Sequence, residues 1–316
     1  MTQAKEPTVA WLNGEVVKWA DCTLHARSPG AFWGANVFEG LRAYWGEDTG
    51  VSRVFRVEDH LARLHRSMKA LHLEIDYTDA QLTSAIDKLL VLNDFGCDVH
   101  IVVVVYVAAG LSYDNLHPTE ATGVHITAVP FPRSATFESG IRVGVSSWRR
   151  IGNDMMPPMI KAGANYHNGR LAHHESVRNG FDSALLLNQQ GTVSEGPGSC
   201  VMMVSDGELV TPPGTSGVLQ SITVDTVARL ASEHLGMKLV RRPVDRTELL
   251  FADEVFMAGT LVEIQPVISI DHIQVGSGSP GPVTRSLQQL YDQAARHARG
   301  PGEWVHDVPC IKDVVA

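Results

Sequence analysis

Cysteine is scarce in this chain: Cys22, Cys97, Cys200 and Cys310 are spread over 316 residues with no C-x-x-C pair. That spacing supports neither a zinc knuckle nor a disulfide framework, and it suits a reducing cytoplasm. Basic charge is also short, with 26 Lys and Arg against 35 Asp and Glu, and the net charge of −9 opposes attraction to phosphate backbones or anionic lipid. Neither nucleic acid nor a membrane is an expected partner. The stretch up to Gly30 carries Lys5, Glu6, Glu15, Lys18 and Asp21 without an apolar h-region, so no signal peptide is expected. Long apolar runs are missing too. The longest, Ile101 to Gly110, is roughly half of the ~20 residues that span a bilayer, and its β-branched content reads as a buried strand. No internal repeat or low-complexity segment occurs. What remains, 44% hydrophobic and 19% charged residues, describes an ordinary globular chain. At about 150 residues per domain it is long enough for two.

Asn13-Gly14 between two short apolar runs predicts a hairpin at the N-terminus. Val37 to Tyr44 and Val51 to Phe55 read as strands. Glu58 to Leu71 places Leu61, Leu64, Met68 and Leu71 on one helical face, and a second helix is expected over Asp79 to Leu92. Strands at 100–109 and Gly123 to Val129 complete a small α+β domain over 1–130, and the Pro-bearing stretch at 131–140 reads as a linker. Beyond it, 141–316 is expected to form a larger strand-rich domain. Its strands begin at Ile141 to Ser147 and recur near 254–258, 264–268 and 272–275, with turns at Asn188 to Gly191 and Ser205 to Gly207. Its helices are expected near Asn165 to Arg178, Ile222 to Leu235 and Val283 to Arg299.

Several patterns invite a wrong assignment. Gly276, Gly278 and Gly281 satisfy G-x-G-x-x-G, but too little chain follows for the βαβ unit and ribose-binding acid of a dinucleotide site, so they read as a turn. His173 and His174 are adjacent, which on a helix points them about 100° apart, and no H-E-x-x-H occurs; no metal is expected. No G-x-S-x-G elbow is present.

The informative segment is Lys161 to Cys200. Lysines are few, and Lys161 precedes small residues rather than sitting on a polar helix face. A partly desolvated lysine can act as a Schiff-base nucleophile, although a surface role is the bland alternative. Tyr166 follows shortly, and Glu195 lies in a strand beyond a turn at Gly191, where a carboxylate has no evident surface partner. An aldehyde cofactor with a pyridine nitrogen needs this set: an amine, a phenol and an acid.

KAGANY, G-x-V-SEG, LVTPP, LQSITVDTV, ADEVFMAGTLVEIQPV and GPVT, in that order, resemble the fold type IV pyridoxal-phosphate aminotransferases, closest to the branched-chain amino acid enzymes. VFEGLRAY and HLARLHRS in the first half are similar to that family's motifs as well. The resemblance implies a mixed α+β fold of two domains with pyridoxal 5′-phosphate in the cleft between them. It implies a homodimer or higher homo-oligomer, and ping-pong transfer of an amino group between a small-molecule amino donor and a 2-oxo acid. Lys161 would be the catalytic lysine, Glu195 would hold the pyridine nitrogen protonated, and Tyr166 would bond the phenolate oxygen. Arg63, Ile222, Thr223 and Thr260 would take the phosphate; an arginine beside a helix N-terminus is a ready anion site.

The departures lie on the substrate side. Val102 stands where branched-chain enzymes carry an arginine for the substrate carboxylate, His100 where they carry a tyrosine, and Trp33 where another tyrosine is usual. Leu219-Gln220-Ser221-Ile222-Thr223-Val224 replaces the usual L-P-G-I-T-R. Arg42 or Arg133 is then the expected carboxylate partner, unless the substrate carries none there, and Gly259 and Leu261 beside Thr260 complete the expected pocket. An (R)-selective amine or D-amino acid transaminase, an aminodeoxychorismate-type lyase and a non-enzymatic ligand-binding relative remain open on the sequence.

Overall fold

The computed structural model describes residues 5–109, 121–297 and 304–309. Cys310, Gly110 and the last residues of the helix expected to reach Arg299 lie outside them. The chain opens with the expected hairpin, β1 (Val9–Leu12) and β2 (Glu15–Lys18), because Asn13 at φ 49° and Gly14 at φ 100° supply the left-handed backbone that a two-residue turn needs. A single helical turn, α1 (Pro29–Phe32), precedes β3 (Asn36–Gly46) and β4 (Val51–Phe55). Helices α2 (Val57–Ala70) and α3 (Asp79–Asn93) follow, then the long strands β5 (Val99–Val107) and β6 (Thr122–Pro130). A capping box of Thr78 and Gln81 starts α3. Leu61, Leu64 and Met68 of α2 are buried as expected, whereas Leu71 is the C-terminal cap residue and exposed; Leu73 takes the next core position.

These strands form one sheet in the order β4-β3-β5-β6-β1-β2, antiparallel throughout. One face carries Val37, Leu41, Ala43, Ile101, Val103, Val105 and Ile126, packed in one core with Leu61, Leu64, Leu82, Ile86 and Leu89 of the helices. The apolar run of β5 is therefore not buried on both sides. Its odd-numbered residues up to Val105 are buried, and His100, Val102 and Val104 on the opposite face are half-buried.

The second sheet begins with β7 (Ile141–Val145), and after α4 (Tyr166–Arg178) come β8 (Ser183–Leu185), β9 (Cys200–Ser205) and β10 (Glu208–Thr211). Then follow α5 (Ile222–His234), β11 (Leu239–Arg241), α6 (Arg246–Phe251), β12 (Glu254–Gly259), β13 (Glu263–Ile270), β14 (Ile273–Gln274) and α7 (Pro282–Arg296). The order is β11-β10-β9-β12-β13-β7-β8 with β14 paired to β13. Val143, Leu185, Val201, Met203, Val255 and Met257 form its core.

The chain divides into two compact units, Met1–Pro132 with Ile160–Ala164 and Gln293–Ala316, and Arg133–Met159 with Asn165–Asp292. The expected linker at 131–140 is divided, 131–132 falling in the first unit and 133–140 in the second, and a continuous division is further broken at 160–164 and 293–316, where hydrogen bonding is the reason. The last strand, β15 (Val305–Asp307), pairs with β4 at the edge of the first sheet. Residues 160–164 lie against β3 through a bridge between Val37 and Ala162 and the Phe38 N–H donating to the Lys161 carbonyl at 3.0 Å.

Candidate active site

In the first unit, Lys161 is fixed by its main chain before its amine is considered. Its carbonyl accepts from Phe38 of β3, its N–H donates to Ser67 Oγ of α2 at 3.1 Å, and Gly163 N–H donates to Asn36 Oδ1 at 3.2 Å. The side chain is 9% exposed, and its Nζ lies 4.7 Å from the centre of the Phe38 ring. Phe38 belongs to the sheet face opposite the helices, so the amine is on that face. The alternation of β3 puts Gly40 and Arg42 there as well, and the register places Val102 across from Gly40 and His100 across from Arg42.

Behind this face lies a group of charges that sequence reading missed. Glu39, 0% exposed, accepts from Arg63 Nε and Nη2 at 2.7 and 2.8 Å and contacts His60 Nδ1 at 2.8 Å. Burial alone would raise the Glu39 carboxyl, but Arg63 and His60 together bring it down to about 2. Burial lowers His60 below the ordinary histidine value despite Glu39. The signal was legible: in Val37-x-Glu39-x-Leu41-x-Ala43 an acid occupies a core position of a strand, and a buried acid requires a partner. Arg63 is thus oriented by a bidentate pair rather than by the surface pairing with Glu58 or Asp59 that its helix position allowed.

Arg42 is 1% exposed and pairs with Asp98 at 3.4 Å, donates to the Phe131 carbonyl at 3.2 Å and lies over the Tyr44 ring. Arg296 of α7 pairs with the same Asp98. Trp33, 52% exposed, follows α1 and packs on Phe32 at 5.6 Å.

In the second unit, Glu195 is 6% exposed and bridged to Cys200 of β9. Its Oε1 pairs with Arg150 Nη2 at 2.8 Å, while Oε2 accepts from the Leu219 N–H at 3.1 Å and from the Cys200 thiol at 3.8 Å. Arg150 also donates to the Gly217 carbonyl and to Asn168 Oδ1, both at 3.3 Å, which ties the acid to the loop before α5. Arg150 is a second residue the sequence did not disclose, since nothing local links it to Glu195. Tyr166 is half-buried at the first position of α4.

Helix α5 starts at Ile222, as expected, with Ser221 Oγ accepting from the Val224 N–H. Among the described residues the N–H groups of Ile222 and Thr223 have no protein acceptor, and Thr223 is buried. These are the donors an anion needs at a helix N-terminus. Gly259 ends β12 so close to the Ser199 Cβ and the Gly198 carbonyl that a Cβ would lie 3.1 and 3.3 Å from them; half-buried Thr260 and Leu261 then turn into β13. Arg133 pairs with Glu263 at 2.8 Å and Asp292 at 2.6 Å. The arginines nominated for a substrate carboxylate, Arg42 and Arg133, are therefore each already opposite carboxylates.

The tempting glycine pattern is a turn. Gly276 and Gly278 have positive φ, and a Cβ on Gly281 would fall 2.2 Å from the Glu254 carboxyl carbon. That carboxylate accepts from the N–H groups of Val283 and Thr284 at 2.9 and 2.7 Å, so it occupies the start of α7 where a phosphate would have to bind. His173 and His174 contact only edge to face, at 6.4 Å.

The family described as amino-transferase class IV matches residues 36–270. A branched-chain-amino-acid aminotransferase of Escherichia coli strain K12 is 36% identical over 293 residues, 91% of this chain and 93% of that protein. The crystal structure of a branched-chain amino acid aminotransferase from Thermobaculum terrenum in PLP-form superposes with a TM-score of 0.90 at 38% identity, covering 96% of this chain and 99% of that one. The branched-chain aminotransferase of the archaeon Thermoproteus uzoniensis with norvaline gives a TM-score of 0.87 at 34% identity, covering 96% of this chain and 100% of that one. The fold is accordingly the type IV arrangement of these enzymes, and the chain belongs to the class IV aminotransferase family.

Proposed function

We propose that this chain is a pyridoxal 5′-phosphate-dependent aminotransferase that moves an amino group between an amino acid and a 2-oxo acid by a ping-pong mechanism, with branched-chain L-amino acids as donors. The observation that carries this is the Lys161 amine, buried on an aromatic ring and held by main-chain bonds to β3 and α2. Each unit by itself supplies residues that fit the cofactor: the first an enclosed amine for its aldehyde and an arginine for its phosphate, the second a buried carboxylate for its ring nitrogen and the N–H donors at the start of α5 for its phosphate.

When bound, the cofactor supplies an electron sink conjugated to the substrate α-carbon. Lys161 would hold its aldehyde carbon and, once displaced by substrate, carry the proton at the α-carbon. Glu195, anchored by Arg150 and the Leu219 N–H, would keep a proton on the ring nitrogen. Tyr166 would donate to the phenolate oxygen. Arg63, Ile222, Thr223 and Thr260 would bind the phosphate.

A specific observation favours a second reading. Val102 offers no charge on the Lys161 face, and Arg42 and Arg133 are committed elsewhere, which suits a donor without a carboxylate there, such as an (R)-amine, or a D-amino acid. A homodimer is inferred from the family resemblance, and exposed Met155, Met156 and Met159 support self-association. A cytoplasmic location is inferred from Cys22, Cys97 and Cys200, none of which is in a disulfide among the described residues; among the described residues no helix is long and apolar enough to cross a membrane.

The test is the absorbance of the holoenzyme titrated with L-leucine, L-glutamate, D-alanine and (R)-1-phenylethylamine. Loss of the visible band with L-leucine or L-glutamate supports the branched-chain reading. Loss only with the amine or D-alanine replaces it by the second, and no visible band at all refutes cofactor-dependent transamination.

A further inference from the structure

We infer that the cavity beside the C-terminal end of α3 is a binding site for a small cationic amphiphile, an arylalkyl group carrying an ammonium; the inference does not rest on the aminotransferase reading. The cavity measures about 480 Å³ and lies within the first unit. That volume falls inside the roughly 300–1,000 Å³ of small-molecule sites. Trp45, Leu90, Val91, Phe95 and Val308 are among its walls. Leu90 and Val308 are buried members of the first unit's core, and Val91 and Phe95 pack against it, so the cavity is an open edge of that core. Trp45 continues the alternation of Val37, Leu41 and Ala43 along β3, which places it on the helix side of the sheet, opposite the Lys161 amine. None of the residues proposed for the cofactor lines the cavity.

Two observations choose the occupant. Ordered water needs about two to four polar partners, whereas these walls are mostly apolar, and covering them with an apolar body is favourable. An aryl body suits them because Trp45 and Phe95 are aromatic partners for it. The second observation is charge: among the described residues that line the cavity, Asp94 alone is charged. Asp94 caps α3 in the left-handed region at φ 45° and already receives an ammonium. Lys5 Nζ donates to its main-chain carbonyl at 2.7 Å and lies 3.7 Å from Oδ2. Both side chains of that pair are exposed, so a ligand's ammonium replaces Lys5 at small cost. An anion would instead meet an acid at the rim of a chain with net charge −9. The competing account is a cleft that takes apolar bodies without regard to charge.

The probe is N,N-dimethyl-2-phenylethylamine, a tertiary amine that has no N–H to lose and so forms no imine with an aldehyde. Its neutral and anionic counterparts are 3-phenyl-1-propanol and 3-phenylpropanoate. Ligand-observed NMR titrations of the full chain are expected to give a Kd of about 1 mM or below for the amine. The alcohol should bind about threefold more weakly, and the anion more weakly still. Val91→Trp, which fills the cavity from α3, should weaken amine and alcohol alike by at least about tenfold. Asp94→Asn removes the charge at a left-handed position that asparagine tolerates; it should weaken the amine about threefold and leave the alcohol within about 1.5-fold of wild type. Lys5→Ala removes the competing ammonium and should tighten the amine about twofold. If Val91→Trp fails to fold, Asp94→Asn decides the matter. Amine binding that survives Val91→Trp, an equal effect of Asp94→Asn on amine and alcohol, amine binding not tightened by Lys5→Ala, or a preference for the anion overturns the proposal.

Discussion

Two buried glutamates, each with an arginine, occupy the two units and differ in how they are closed. Glu39 in the first is gripped by both prongs of Arg63 and by His60, entirely through side chains. Glu195 in the second is held from separate directions by one guanidinium nitrogen, one main-chain N–H and a distant thiol. A forked pair with a third donor fixes geometry and makes the carboxylate part of the scaffold. Donors that reach a carboxylate from divergent directions are compatible with a further donor at one oxygen, which is what the proposed ring-nitrogen partner requires. If Glu195 has the proposed role, an Arg–Glu pair is structural or chemical according to how its donors converge.

Lys161→Ala tests the premise on which both roles depend. Transamination should disappear, a loss of at least about a thousandfold, while the phosphate donors still bind the cofactor noncovalently; near-normal turnover would refute the assignment. Breaking the open pair comes next. Glu195→Gln should fold normally and slow α-proton transfer by roughly a hundredfold, read as a deuterium isotope effect on the α-carbon. Arg150→Met should reproduce part of that loss and displace the cofactor's visible band, whereas an unchanged band would make Arg150 a bystander.

Breaking the closed pair should cost stability before it costs chemistry. Glu39→Ala leaves Arg63 buried without its fork and should lose about 3–5 kcal/mol by urea denaturation. An effect near zero would mean that the pair holds nothing in place. A smaller effect comes with pH. His60, His100 and His125 all have folded values depressed below 6.5, so the unfolded chain binds more protons on acidification. Their contribution is complete above pH 6.5 and is lost as pH falls toward about 4, the folded value of His100. Glu39 adds its own loss only below its ordinary value of 4.5, down to about 2. His306, raised by Asp87, has the opposite sign and loses its contribution as pH rises above 6.5. Urea midpoints between pH 7 and 5 should therefore fall, and less so in His100→Gln. The smallest change should be Thr78→Ala, about 1 kcal/mol for the capping box of α3.

Much of the proposed site could be nominated along the chain because its chemistry is local: KAGANY, SEG and the start of α5 each carry their residue types within one short stretch. What could not be read were the partners. Arg150 meets Glu195, and Ser67 meets the Lys161 main chain, across separations that no spacing rule covers. Arg133 looked available for a substrate in its linker, and only the fold brings Glu263 and Asp292 to it. The strand β15 was missed for a related reason, since three residues carry too little periodicity to show that they complete a sheet edge.

The sequence by itself determined most of the element order, the hairpin at Asn13-Gly14 and the family, and it nominated Lys161, Tyr166 and Glu195 as amine, phenol and acid, because propensity, periodicity and motif are properties of neighbouring residues. Only the tertiary structure decided which charges are neutralised and which donors are left to a ligand, because burial and pairing depend on residues that meet through folding.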